Sequence, residues 1–594
     1  MKAKLAKFLA HRYVPLFAAL CAIVLLAPAL WSGMMMDDHV HKMMFTQSRL
    51  VYPGGPRGDW DLFRFFDGDP AALDQVMNTG LWPWWTAKGF RLSFFRPLAS
   101  LWHWLDYRLF PDAHWFLHLE SILIFAVAAF FASVLYRRLL GATAWAGLAA
   151  LMFAVDDAHS MVIAWIANRH SILATACGIA ALVAHDKARR DPWKLGLFLG
   201  PFAFALALLS SENGVSTLPY LLAYALFLDR APLRSRIVSL LPYTAVFMVW
   251  AVIYKLGGYG TWGGAFYIDP LRQTIDYARA VVQRLPVLLT GQLAAPPADL
   301  WMMVPPEKTA GLVGMGFGIL LVVGAALVVV LRGNRTAAFF AMGMTLSVLP
   351  ACATWPGDRN LLFAGLGGFG LVAQFLSTSR QHLGRPARVF GGIIAGMFVV
   401  LHIVVAPLLL PLRTHAIGSM LHHYTERAIQ SFPDDAALAG KTVVVVNAPD
   451  GIITNIVIAA RMNAGRTLPD SFRVLMSAVQ GAITLARVDD HTLSMTMSAG
   501  HLHEPTSTVF RDPKRASLRV GDRVVLRGMV AEIMSLTPDG RLPERVDFHF
   551  DKQLDDPSFV WVFWDERLFS RLEPPKAGEK RVLPVLPYGE AIGG

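Results

Sequence analysis

Residues 14–39 read VPLFAALCAIVLLAPALWSGMMMDDH, an apolar run that ends in a pair of acids. The run, taken from about residue 13 to 32, carries no charge and is long enough to cross ~30 Å of hydrocarbon. A basic start with Lys2, Lys4, Lys7 and Arg12 precedes it, as in a signal peptide. The run continues to Trp31 without a clear small-residue cleavage site, so it reads as a retained signal-anchor helix. Asp37 and Asp38 then stand at the outer headgroup level, where acids are costly unless solvated, paired or used.

The pattern recurs outward from there. Further apolar runs lie near 113–136, 141–155, 160–184, 194–211, 214–229, 237–254, 311–331, 336–354, 361–378 and 389–410. They predict an α-helical polytopic membrane protein with about eleven transmembrane helices. Composition agrees: 55% of the 594 residues are hydrophobic and only 16% charged, against about a quarter charged in a soluble protein. The formal net charge of +11 is the excess that cytoplasmic loops need to fix topology, which sets aside a nucleic-acid partner. Cys21, Cys177 and Cys352 lie in or beside apolar runs, so no disulfide framework or CxxC site is available.

The basic clusters alternate with loops that lack them. They precede the first run, and follow the second (Arg137, Arg138), fourth (Lys187, Arg189, Arg190, Lys194), sixth (Arg230, Arg234, Arg236), eighth (Arg332, Arg335) and tenth (Arg380, Arg385, Arg388). All then share one side, the cytoplasm. The expected organisation is a transmembrane domain over 1–410 with outer loops at 33–112 and 255–310, a linker at 411–432 and a soluble domain at 433–594. The N-terminus would be cytoplasmic and the last domain periplasmic, in a bacterial inner membrane. Aromatics mixed with charge over Trp60–Phe95, and the segment Pro270–Leu289, read as elements lying on the bilayer surface.

Past Pro433 the composition is that of a small soluble α/β or mostly β domain. Lys441–Asn447 (KTVVVVN) reads as a buried strand, Asn455–Ala464 as a helix, and Thr492–Met497, Leu518–Ile533 and Arg545–Asp551 as strands, the last two parted by a turn at Pro538-Asp539-Gly540. His501, His503 and His549 show no ligand spacing and read as surface residues.

Chemistry-bearing residues gather in the outer loops. Asp37 and Asp38 suit a general base facing a lipid-borne substrate, or an ordinary solvated loop start. Asp156, Asp157 and His159 occupy a tight outer turn as divalent-cation ligands, acid/base groups, or plain turn and cap residues. Arg169 lies inside the fourth run and needs an anion: a carboxylate such as Asp37, Asp38 or Asp157, or a phosphate. Glu212 and Arg359 beside Asp358 invite the same two readings, a structural ion pair or a phosphate contact; Arg96 before Pro97 reads as a helix-start device or another phosphate contact. There is no GxSxG, HExxH or Walker motif.

Five patches resemble the GT-C superfamily of polytopic glycosyltransferases, and within it the bacterial relatives of the protein O-mannosyltransferase-like TMTC proteins. Asp37-Asp38-His39 follows the first helix; Phe95-Arg96-Pro97-Leu98 with Leu105-Asp106-Tyr107 and Phe110 is similar to "YRPL…LDY.LF". Ala158-His159 with Ala164-Trp165-Ile166-Ala167-Asn168-Arg169 resembles "HPVHVEAVAWIAGR", Leu209-Ser210-Ser211-Glu212-Asn213 resembles "LSKE", and Asp358-Arg359-Asn360-Leu361 resembles "DRYLYLP". The patches keep the family's order from residue 37 to about 365, and the tail after 411 lies outside them. Asp156 and Asp157 replace the first His and the Pro of "HPVH", Met161 replaces its Glu, and Ser211 replaces the Lys of "LSKE".

The resemblance implies a GT-C-like membrane region and transfer of a sugar from a polyprenyl-phosphate donor to a glycan, glycolipid or protein acceptor on the outer side. Asp37 or Asp38 would be the base; Arg96, Arg169 and Arg359, with His159 and Glu212, would bind lipid phosphate or acceptor. A divalent cation on Asp156, Asp157 and His159 is the one cofactor candidate. A non-catalytic envelope scaffold and a lipid flippase are the readings from other classes.

Overall fold

A computed structural model describes residues 2–46, 53–379, 385–477, 482–503, 506–565 and 567–584. The chain folds as two compact units, each assembled from separate stretches of sequence. The first comprises Met1–Gly33, Phe94–Gly257 and Asp269–Gly418; the second comprises Met34–Ser93, Gly258–Ile268 and Ser419–Gly594.

Among the described residues, eight helical stretches are long and apolar enough to cross a membrane, rather than about eleven: Val14–Trp31, His114–Leu140, Ala144–Ala164, Ile166–Arg190, Leu233–Leu256, Thr309–Leu331, Arg335–Ala353 and Arg388–Ser431. Two more runs form shorter apolar helices, Gly196–Ser210 and Leu362–Thr378. The run near 214–229 breaks into a 3-10 turn (Glu212–Ser216), a short α-helix (Thr217–Ala223) and a π turn (Tyr224–Leu228). Apolar composition alone overcounts, because hydrophobic periodicity does not report where the backbone changes its hydrogen-bond step. The stretch expected as a linker is helical from Ala406 to Ser431. Of the basic residues that follow the tenth run, Arg380 lies outside the described residues.

The first unit is a helical bundle around Phe125, Phe153, Phe204, Phe340, Leu366 and Phe369, all buried. Tyr136 keeps its hydroxyl satisfied inside this core by donating to the Leu366 carbonyl at 2.6 Å. Helices pack closely where side chains are absent: a Cβ on Gly343 would meet the Tyr220 ring at 2.2 Å. The outside of the bundle is apolar too. Leu241, Met248, Val249 and Val252 on the Leu233–Leu256 helix are all more than half exposed, the face a helix presents to lipid rather than to water. The architecture is that of a polytopic membrane protein.

The second unit is rich in sheets. Arg64–Phe66, Arg91–Ser93 and Gly260–Trp262 form a three-stranded antiparallel sheet from two separate stretches of the second unit. Six antiparallel strands run in the order Lys580–Pro584, Ala482–Arg487, Thr492–Thr496, Pro543–Phe550, Met529–Leu536, Arg523–Leu526. A third sheet orders Leu568–Arg571, Phe559–Asp565, Thr442–Val445 and Ser471–Val474, in which the last three are mutually parallel. Helix Ile453–Asn463 makes the crossover between Thr442–Val445 and Ser471–Val474, the βαβ unit that parallel neighbours require. Val443, Val444 and Val445 are fully buried, as the unbroken valine run demands.

Two expectations are corrected in this unit. Trp82, Trp84, Trp85 and Phe90 do not lie on a bilayer; each is at most 3% exposed. Trp82 packs on Phe90 and Phe510, and Trp84 on Phe548, while the Trp84 and Trp85 indoles donate to the carbonyls of Leu475 and Ser507. His501 is likewise interior rather than superficial, and burial lowers its pKa to about 4, keeping it neutral.

Candidate functional site

The acid pair sits in the second unit on a tightly specified turn. Met36 adopts φ +48°, a left-handed conformation that a residue bearing Cβ takes only when its surroundings enforce it. Enforcement comes from Asp38, whose buried carboxylate accepts the Met35 N–H at 3.0 Å while its own N–H donates to the Met35 carbonyl at 3.1 Å. Asp38 also opens helix Asp38–Thr46, where a negative charge complements the helix N-terminus. Asp37 is partly exposed. The two acids are therefore unlike: one is built into the turn and the other stands on it.

The remaining candidates lie in the first unit and form three groups. In the first, Arg96 at the start of helix Pro97–Leu109 donates to Glu212 at 2.7 Å and stacks over the Phe94 ring at 4.4 Å. Nearby in sequence to Glu212, Ser211 is 3.1 Å from the His170 Nδ1, and Asn213 donates to Ser171, which donates to Asn168. This polar ladder joins the start of helix Arg169–Arg190 to the end of helix Gly196–Ser210.

Arg169 holds the second group together. It is fully buried and donates to Asp106, to Ser121 at 3.1 Å and to the Leu117 carbonyl, with Glu120 at 3.2 Å. Its carboxylate partners are thus Asp106 and Glu120, in place of the expected Asp37, Asp38 or Asp157. Burial, reinforced by the charge of Glu120, raises the Asp106 pKa to about 7 against the pull of Arg169.

The third group surrounds Arg413, which sequence reasoning passed over. Its guanidinium reaches Asp157 at 2.5 Å, Asp299 at 2.8 Å and Asp358 at 2.7 Å. Asp358 also accepts the Ala298 N–H, and Asp299 accepts the Asp358 N–H, both at 2.8 Å. Burial and the nearby Asp299 push the Asp358 pKa up to about 7. Arg359, next in the chain, is partly exposed with its guanidinium over the Trp165 ring at 5.3 Å.

A cation held by Asp156, Asp157 and His159 does not fit this arrangement. Among the described residues no group of three His, Cys, Asp or Glu side chains is placed to hold a metal ion. Asp157 is committed to Arg413, and the His159 ring lies in an aromatic pocket, 4.7 Å from Phe125 and 5.4 Å from Phe153. Neither of its ring nitrogens has a hydrogen-bond partner among the described residues.

Comparison with known proteins adds to this picture. No family model matches the chain. Over 172 residues it is 26% identical to a protein O-mannosyl-transferase of Caenorhabditis elegans, a match covering 28% of this chain and 24% of that protein. The chain thus spans about a quarter of that relative's length. Among solved structures it is similar to an Archaeoglobus fulgidus oligosaccharyltransferase crystallised with Zn and sulfate, with a TM-score of 0.39, 13% identity, 77% of this chain covered and 62% of that one.

Proposed function

We propose that this protein is a membrane glycosyltransferase of the GT-C type, acting at the outer, periplasmic face of a bacterial inner membrane on a polyprenyl-phosphate sugar and a hydroxyl acceptor in a glycan, glycolipid or protein. The sequence match to a protein O-mannosyl-transferase carries this reading, and the unlike pair Asp37–Asp38 supplies its chemistry.

Asp37, the partly exposed acid, takes the proton of the acceptor hydroxyl as that oxygen forms its bond to the sugar's anomeric carbon. The bond from that carbon to the lipid phosphate breaks, and polyprenyl phosphate departs with the electron pair. Such a leaving group needs cations more than a strong acid. Within the first unit Arg96 and Arg359 are each partly exposed and rest on an aromatic ring, and Glu212 fixes the pose of Arg96. Arg169 is withdrawn from such a role, because Asp106 and Glu120 already occupy its donors in the interior. No step runs through a metal.

The test uses the full chain in lipid vesicles, given polyprenyl-phosphate mannose or glucose and membrane acceptors, with products read by mass spectrometry. Asp37→Asn is expected to lower the transfer rate by about 10²–10⁴-fold, the usual contribution of a general base, with the thermal unfolding midpoint unchanged. Full activity in that variant would remove Asp37 from the chemistry.

A further inference from the structure

The turn that carries Asp37 and Asp38 is held by side chains from the far end of the chain. On its N-terminal side the Met34 carbonyl lies 2.8 Å from the His422 Nδ1, across 388 residues of sequence. On its C-terminal side the His39 carbonyl accepts from the Asn463 Nδ2 at 2.9 Å, across 424 residues. Both contacts lie within the second unit. From these we infer that His422 and Asn463 are positioning residues, and that the C-terminal region serves as a clamp fixing the geometry of the acid turn; this rests on the glycosyltransferase reading.

The two arms of the clamp are tied to each other. His422 lies on helix Ala406–Ser431 and Asn463 ends helix Ile453–Asn463. Tyr424, next to His422 on the same helix, donates to the buried Asp450, whose other oxygen accepts the N–H groups of Ile452 and Ile453 at the start of the second helix. That second helix also packs along Asp38–Thr46, with Asp38, Met43 and Met44 buried. At its far end, the fully buried Arg461 donates to the Thr467 carbonyl and to Asp435. A left-handed Met36 needs such outside support. A base displaced by about 1 Å loses on the order of 100-fold in rate, so a clamp of this kind acts on turnover rather than on binding.

The experiment measures transfer by His422→Ala and Asn463→Ala in the full chain in vesicles, with hydrogen–deuterium exchange of the peptide over residues 34–46 as a readout independent of activity. Each variant is expected to lower kcat about 10- to 100-fold with KM for the polyprenyl-phosphate sugar unchanged, and to speed exchange over 34–46 while the 453–463 helix keeps its protection. His422→Asn retains a donor at the Nδ1 position and is expected to recover most of the rate, which a general folding defect would not allow. Unchanged exchange over 34–46 and a kcat within about 2-fold of the parent, alongside an inactive Asp37→Asn, would overturn the clamp and leave the function standing. An active Asp37→Asn with accelerated exchange in the clamp variants would instead overturn the function and with it the catalytic purpose of the clamp.

Discussion

Asp106 is buried and shares the Arg169 guanidinium with a second carboxylate, Glu120, so burial first and the neighbouring charge second raise its pKa. Because the folded pKa of Asp106 is raised from 3.8 to about 7, its contribution to stability is full below pH 3.8 and falls as pH rises toward 7. Asp106→Asn is therefore expected to flatten the pH dependence of unfolding between pH 4 and 7, measured as the difference from the parent in the same detergent. A parallel pair of curves would show that Asp106 is ionised throughout. Arg169→Ala is expected to cost about 3–5 kcal/mol, the usual loss on breaking a buried pair, as a fall in unfolding midpoint. At this scale the sequence exposed what stands adjacent and concealed what meets through space. Asp37-Asp38 is visible as a doublet beside an apolar run, whereas Arg169 and Asp106 meet across 63 residues, which no local spacing records.

At the scale of elements, the aromatic segment over Trp60–Phe95 shows why composition misleads. There aromatics mix with charge in the manner of an interfacial helix, and an apolar face looks the same whether lipid or protein covers it. Here protein covers it: the surfaces that bury Trp82, Trp84 and Trp85 come from residues 475–548, remote in sequence. Strands of the tail were legible because a valine run and alternating segments bounded by Gly and Asp carry their own period. Trp84 separates the two accounts. If it is core, Trp84→Ala costs about 3–5 kcal/mol, and Trp84→Phe, which loses the hydrogen bond to the Leu475 carbonyl, costs about 1 kcal/mol. Limited proteolysis of the full chain, followed by the rate of cleavage within 53–93, reads both. Unaltered proteolysis in Trp84→Ala would return the ring to the bilayer surface.

For the molecule as a whole, one residue of the first unit gathers distant parts of the chain. Asp157 comes from the turn between the Ala144–Ala154 helix and its successor, Asp299 from the loop before Leu300–Met303, Asp358 from the turn before Leu362–Thr378, and Arg413 from the last apolar helix. Arg413 follows the run APLLLPL in a stretch read as a linker, and the ion pairs that explain it belong to three other turns. Its removal would leave the carboxylates facing one another without their cation. The loss is then pH-dependent, with a definite sign. Asp358 already has a folded pKa of about 7 against 3.8 unfolded, and Arg413 is what restrains it; without Arg413 the folded value climbs further, so more stability is lost as pH rises. Arg413→Ala is accordingly expected to be nearly as stable as the parent at pH 5 and about 3 kcal/mol less stable at pH 8, measured by thermal unfolding in nanodiscs. Asp358→Asn in the same background is expected to recover part of the deficit at pH 8 and little at pH 5, since a neutral amide there needs no cation. A deficit of equal size at both pH values, unmoved by Asp358→Asn, would mean that Arg413 acts by packing its stem rather than by neutralising the three turns.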